Sequence, residues 1–275
     1  MFGATLDRLP MACLWFGCEI VANCFAAAFC RETNRAMPGA DAPNIISPLW
    51  LSLGENCLPD DILSRHGKKA FSSPYISGRS NIDHAIELEK RDNAGLLDAP
   101  NLMHMNYLNA KVVRSKTIVH YDDIFEETVS NGFEFTHHDP LSRKPHREAI
   151  ERRIQRLLAA RGRDNIVFLY HHRISDNSDI SRLRCKIREF REFYQSDTAS
   201  AIVAIFYQNI IPKNDENRLE IKIPDDGILE YVFHTHAIWS GNNPAIFWVR
   251  CDDDLIRSMI DDIAAYAQPA PALIA

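Results

Sequence analysis

Five segments of the chain read as an apolar run that stops abruptly at a cluster of reactive polar residues. Residues 49–53 end in Gly54-Glu55-Asn56-Cys57 and residues 133–135 in Thr136-His137-His138-Asp139. Residues 166–170 end in His171-His172-Arg173, 201–206 in Tyr207-Gln208-Asn209, and 229–233 in His234-Thr235-His236. In an open α/β sheet, ligands and catalytic groups collect outside the carboxyl ends of the strands, where the loops leave the sheet. Five parallel strands would therefore bring these five clusters to one crevice.

Helical spacing returns between the runs. After Cys57, residues 58–65 carry Pro59, Asp60 and Asp61 early and Arg65 late, as a helix start and finish prefer, and Gly67 stops the turn. That places Cys57 at or just before a helix N-terminus. Residues 82–90 read as a short helix, and residues 146–161 as an amphipathic one through Ile150, Ile154, Leu157 and Leu158, with arginines crowding its polar face. Leu183, Ile187, Phe190 and Phe193 repeat at the same spacing over residues 180–194, which makes a β-α-β unit of the runs at 166 and 201. A last helix over residues 253–266 starts on the acidic run 252–254.

The stretch 71–123 is less regular. Ser73-Pro74-Tyr75 and Ser77-Gly78-Arg79-Ser80 are turn chemistry, and residues 111–121 hold β-branched residues suited to strands. It reads as an excursion across the mouth of the crevice. The expected fold is α/β, a three-layer arrangement of a mostly parallel sheet with helices on both faces. Its expected extent is 48–268, after an apolar, cysteine-rich segment and linker over 1–47 and before a frayed tail over 269–275.

Residues 11–29 are apolar apart from Glu19 and Asn23, close to the ~20 residues a membrane span needs. A carboxylate at mid-span is costly there, Arg8 alone makes a poor leader, and no small-residue cleavage site follows. A buried or amphipathic helix is the expected reading, and membrane contact through this segment is disfavoured. Prolines 38, 43 and 48 mark the linker.

The 275 residues, 46% apolar and 25% charged, are ordinary globular usage. A formal net charge of −6 argues against a nucleic-acid or anionic-membrane partner, since neither attracts an acidic surface. Four of the seven cysteines fall in the first thirty residues, a distribution unlike a disulfide framework. A reducing, cytoplasmic setting is expected.

A thiol at a helix N-terminus feels the positive end of the dipole, which favours the nucleophilic thiolate, and the same amides can hold a developing oxyanion. Cys57 is the candidate nucleophile, with Asn56 beside it as an oxyanion donor. His137 or His138 can take the thiol proton, and Asp139 can orient the imidazole. Adjacent residues on a strand point to opposite faces, so one histidine of that pair is expected to face Cys57. His171 is a further alternative base, and Asn209 an alternative orienter.

Arg153 and Arg173 suit an anionic substrate group, which a guanidinium holds bidentately. His234 and His236, at i and i+2 of one strand, are an alternative metal pair, although no metal or cofactor is expected. Neither a phosphate-binding glycine fingerprint nor G-x-S-x-G nor H-E-x-x-H occurs.

Ser52-Leu53-Gly54-Glu55-Asn56-Cys57, Ser73-Pro74-Tyr75, the Phe135 to Asp139 stretch, the arginine helix from Glu151 to Arg156, and the run from Ile166 to Tyr170 resemble a bacterial family of uncharacterised proteins. That family carries the name putative papain-like cysteine peptidases. Its pattern is S-L-G-x-x-C, a following S-x-P-F-D-W stretch, an H-D pair and an R-R-x-x-R helix. Cys57 matches the cysteine and His138-Asp139 the H-D pair, so the resemblance favours His138 over His137 as base. Ile76-Ser77 stands where the pattern has D-W, which marks a divergent member. The resemblance implies a thiol-dependent hydrolase or acyl transferase acting on a peptide or small molecule, and an α+β papain-like fold as the alternative architecture. From a different class, a sugar- or phosphate-handling enzyme linked to surface polysaccharide, or a metal-binding or scaffold protein, would use the arginines or the H-x-H pair.

Overall fold

Alternation along the apolar runs decides which helices each side chain meets. The computed structural model describes residues 47–107, 110–116, 133–176, 178–239 and 247–268. The expectations for residues 1–46 and for the 269–275 tail lie outside the described residues. In chain order the elements are β1 (Leu49–Gly54), α1 (Leu58–Arg65), β2 (Gly78–Arg79), α2 (Ile82–Glu89), β3 (Leu102–Tyr107), β4 (Ala110–Ser115) and β5 (Glu134–Phe135). There follow α3 (Lys144–Ala160), β6 (Ile166–His171), α4 (Ile180–Glu192), β7 (Ala201–Ile210), β8 (Arg218–Asp225), β9 (Ile228–Thr235) and α5 (Asp253–Tyr266).

The main sheet has the order β1-β6-β7-β9-β8. Its first four strands are parallel, in a register that sets Leu51 against Phe168, Phe168 against Val203, and Val203 against Ile228. Only β8 at the edge runs antiparallel, paired to β9. Leu51, Leu53, Ile166, Phe168, Tyr170, Val203 and Ile205 point to one face, where α2, α3 and α4 lay Ile86, Ile150, Leu157, Leu183 and Phe190 on them. The intervening residues Trp50, Val167, Leu169, Ala204 and Phe206 point to the other, where α1 and α5 cover them with Leu58, Ile62, Met259 and Ile263. Strands buried on both faces read as continuous apolar runs for this reason. The three-layer α/β arrangement follows, with helices on both sides of a mostly parallel sheet. Phe168, with no exposed surface, meets Phe190 at 5.2 Å and Tyr194 at 4.7 Å edge-on; truncation to alanine there would cost ~3–5 kcal/mol.

One run departs from expectation. The segment at 133–135 does not join the parallel sheet: β5 pairs antiparallel with β2 and β4 in a second sheet of order β2-β5-β4-β3. A run of three apolar-rich residues specifies a strand without specifying its partner, and the nearest edges belong to the excursion. Within the expected strand region at 111–121, β4 ends at Ser115, and residues 117–121 lie outside the described ones. Glu134 in β5 is 1% exposed and receives Arg79 from β2 and Arg114 from β4, the latter through Nε at 2.9 Å. Two guanidiniums on one buried carboxylate fix the register of this small sheet, and with it the loop that carries His137 and His138. No helix among the described residues is long and apolar enough to cross a membrane.

Candidate active site

The turn after β1 is shaped by its glycine. Gly54 has φ +128°, and a Cβ there would stand 2.7 Å from the backbone nitrogen of His171 and 2.8 Å from its oxygen. The turn thus lies flat against the end of β6, with the Glu55 amide donating to the His171 carbonyl at 3.3 Å.

Beyond this point the alternation of β1 and β6 continues into polar residues. Glu55 continues the face of Leu53, and His172 that of Tyr170. The Glu55 carboxylate, 6% exposed, meets Nδ1 of the fully buried His172 at 2.8 Å and accepts the Arg173 backbone N–H at 3.0 Å. Nε2 of His172 lies 3.0 Å from the Ser178 hydroxyl, which also accepts the Ser175 N–H at 2.9 Å. This chain of contacts clamps the loop after β6 to the turn that leads to Cys57. His171, on the opposite face, stacks on Phe206 with centroids 4.9 Å apart and touches Asn56 Oδ1 through Nδ1 at 3.1 Å. Burial, then the charges of Arg173 and His172, push its pKa well below the usual imidazole value.

Cys57 is the N-cap residue of α1, and the Asn56 side chain accepts the Leu58 N–H at 3.1 Å. The expected N-terminal position is therefore realised, but its expected electrostatic effect is not. Burial pushes the thiol up to about 11, with Asp61 and Asp60 adding to the rise; its own backbone amide and Arg79 oppose it without reversing it. The two acids suit the helix dipole, yet they place negative charge on the first turn beside the thiol. The resting group is a protonated thiol. Among the described residues no imidazole hydrogen-bonds it.

The histidines of the β5 loop stand around the same guanidiniums. Arg79, which acts on Cys57, also acts on the exposed His137, whose pKa is lowered by partial desolvation and then by that charge. His138 is half-buried, with Nε2 3.5 Å from Arg153 and its ring edge-on to His146 at 5.3 Å. Its Nδ1 has no exposed surface and no hydrogen-bond partner. Burial first, then Arg153, His146 and His137, lower its pKa to about 4, so it is a neutral imidazole. Arg153 in turn feels Asp60 on α1. Cys57 and His137 thus both feel Arg79, while His138 stands beside Arg153.

Asp139 and Asn209 have other occupations. The Asp139 carboxylate lies 3.2 Å from His104 Nε2 and accepts the N–H groups of Leu141 at 3.1 Å and Ser142 at 2.8 Å, while its own N–H donates to His146 Nδ1. Burial would raise this carboxyl, but the Ser142 amide and His104 hold it below its usual value. Asn209, exposed, donates to His234 Nδ1 at 3.0 Å, and His234 Nε2 meets Glu220 at 3.1 Å. His236 is exposed, and among the described residues no three His, Cys, Asp or Glu side chains are grouped to hold a metal ion. Arg173 takes part here through its backbone amide and through its charge on His171.

Sequence reasoning did not single out Arg79, Ser178, His104 or the Glu55–His172 contact. The last was legible, because both residues extend a buried face of adjacent parallel strands. Nothing local marks Arg79, which reaches the site through the fold of the excursion.

These features define an α/β protein with a cysteine at the helix start beyond its first parallel strand, on which Arg79 of a second, antiparallel sheet acts. The model of a family described as putative papain-like cysteine peptidase matches residues 48–222, and the chain belongs to that family. No curated protein and no solved structure matches it.

Proposed function

We propose that the chain is a thiol-dependent hydrolase or acyl transferase in which Cys57 is the nucleophile and His138 the base, with His137 as the alternative. The observation that carries the reading is the placement of Cys57 at the start of α1, at the carboxyl end of the parallel sheet, with Arg79 acting on both the thiol and His137. A protonated thiol can give a proton and a neutral imidazole can take one, and with the thiol raised to about 11 and His138 lowered to about 4 that transfer is uphill in the resting site. In the step envisaged, the Sγ proton passes to the imidazole as Sγ bonds to an acyl carbon. The leaving group departs with that proton. Water or a second nucleophile then releases the acyl group from sulfur, and the thiol is restored.

Asn56, whose Oδ1 already accepts from Leu58, keeps its Nδ2 for the oxyanion together with the Cys57 N–H, since in the first helical turn the Leu58 N–H is taken and Pro59 has none. Arg79 and Arg153 favour a peptide or small-molecule substrate bearing an anionic group beside the acyl carbon, and Arg173 is the outer anion contact. Asp139 acts on the loop carrying His138 through its contacts to Leu141, Ser142 and His104, and Asn209 orients His234 at the rim. A reducing compartment such as the cytoplasm fits a free, nucleophilic thiol. The test is acylation: the protein is incubated with activated esters and thioesters, with and without a carboxylate next to the acyl group, and the modified residue is located by mass spectrometry. Acylation at Cys57 that is lost in Cys57→Ala and slowed at least tenfold in His138→Ala supports the proposal. Acylation that is absent, or unchanged in Cys57→Ala, refutes it.

A further inference from the structure

The edge of the main sheet carries a strand whose pattern complements itself. β8 reads Arg218-Leu219-Glu220-Ile221-Lys222-Ile223-Pro224-Asp225, and among the described residues only β9 pairs with it, leaving its other edge open. Leu219, Ile221 and Ile223 share one face; Leu219 packs with the α5 side of the core, whereas Ile221 is 46% and Ile223 60% exposed. The other face presents Glu220 and Lys222, 3.2 Å apart. An open edge with exposed isoleucines is a template for strand pairing. Proteins commonly block such edges with lysine, and a lone lysine here would do so.

The position of Glu220 changes that outcome. An antiparallel pairing of β8 with the same strand of a second copy, centred on Ile221, sets each Glu220 opposite the other copy's Lys222. Ile221 then faces its own counterpart and Leu219 faces Ile223. Both charge pairs are attractive and the apolar row is continuous, whereas a shift by one residue would break the match. Pro224, with no N–H to donate, ends the ladder. The two-fold axis is perpendicular to the sheet, so each copy keeps its α5 side on the same face, as a self-complementary dimer requires. We propose that β8 is a homodimerisation edge, joining two five-stranded sheets into one of ten strands. The proposal is independent of the chemistry at Cys57.

Charge exchange tests it. Glu220→Lys places two lysines along the ladder and Lys222→Glu places two glutamates, so each variant meets like charges in its own copy and attractive ones in the other. By sedimentation velocity, the unaltered chain is expected to run as a dimer at tens of micromolar, each single variant to dimerise roughly tenfold or more weakly, and an equimolar mixture of the two to recover the dimer. Near-ultraviolet circular dichroism of each variant alone verifies the fold. Because Glu220 also touches His234, and Lys222 lies 3.9 Å from Glu230, Ile221→Lys serves as a second disruptor that leaves those contacts in place. An unaltered chain that stays monomeric, or a dimer indifferent to all three variants, overturns the proposal.

Discussion

Cys57 should titrate late, and its titration should show in the stability of the fold. Its pKa is pushed from an ordinary 9.0 to about 11 by burial and by Asp61 and Asp60. Two units correspond to ~3 kcal/mol between the protonation states at 1.36 kcal/mol per unit. Since the folded value is raised, the stabilising contribution is complete below pH 9.0 and is lost as pH climbs towards about 11. The perturbation is Cys57→Ser, which removes the titrating group while keeping a small polar side chain. Urea unfolding of both proteins at intervals from pH 7.5 to 10.5 should give a difference that is flat to about pH 9 and then turns against the unaltered chain, by ~2 kcal/mol at the upper end. Other buried groups with raised values, Tyr207 among them, also affect stability as pH rises, but they contribute equally to both proteins and cancel. Alkylation of Cys57 by iodoacetamide should follow the same curve, with a thiolate population about a hundredfold below that of an unperturbed thiol at pH values well below 9. A midpoint near or below neutrality, or a stability difference that rises with pH, would refute the electrostatic reasoning and show a preformed thiolate.

Three further outcomes follow from the site's construction. Gly54→Ala drives a Cβ to 2.7 Å from the His171 backbone at φ +128° and should cost roughly 3 kcal/mol or more, read as a melting temperature lower by about 6–12 °C. Glu55→Ala strips His172 Nδ1 and the Arg173 N–H of their acceptor, so ~2–4 kcal/mol of stability should go. With the turn no longer clamped, Cys57 alkylation below pH 9 should also accelerate. Arg79→Ala removes a charge that lowers both Cys57 and His137; by NMR titration His137 should move up towards its ordinary value, while alkylation of Cys57 at a fixed pH slows.

Most of the scaffold could be read from the chain because its strands are buried on both faces and its helices on one. The expected helices at 58–65, 82–90, 180–194 and 253–266 return as α1, α2, α4 and α5, within two residues at each end. β8 escaped notice, since an exposed edge strand alternates polar and apolar residues without an apolar run. β5 was legible as a strand but not as a member of the small sheet, whose partner strands β4 and β2 lie about 20 and about 55 residues upstream. The candidate site divides in the same way. Cys57 at a helix start follows from local signals, and the placement of His138 beside Arg153 joins a loop to the arginine helix that follows it. The raised thiol, the role of Arg79 and the pairing of Asp139 with His104 depend on burial and on contacts between distant segments, which no local pattern encodes.

The measurement that bears most directly on Cys57 as a base-activated nucleophile is single-turnover acylation at pH 7.5, followed by intact mass, in the unaltered chain and in Cys57→Ser, His137→Ala and His138→Ala. One acyl group should appear on Cys57 and none in Cys57→Ser. The rate should fall at least tenfold in His138→Ala and less in His137→Ala, while iodoacetamide at the same pH reacts slowly with Cys57 in the three proteins that retain it. Acylation that ignores both histidines, or that settles on a residue other than Cys57, would contradict it.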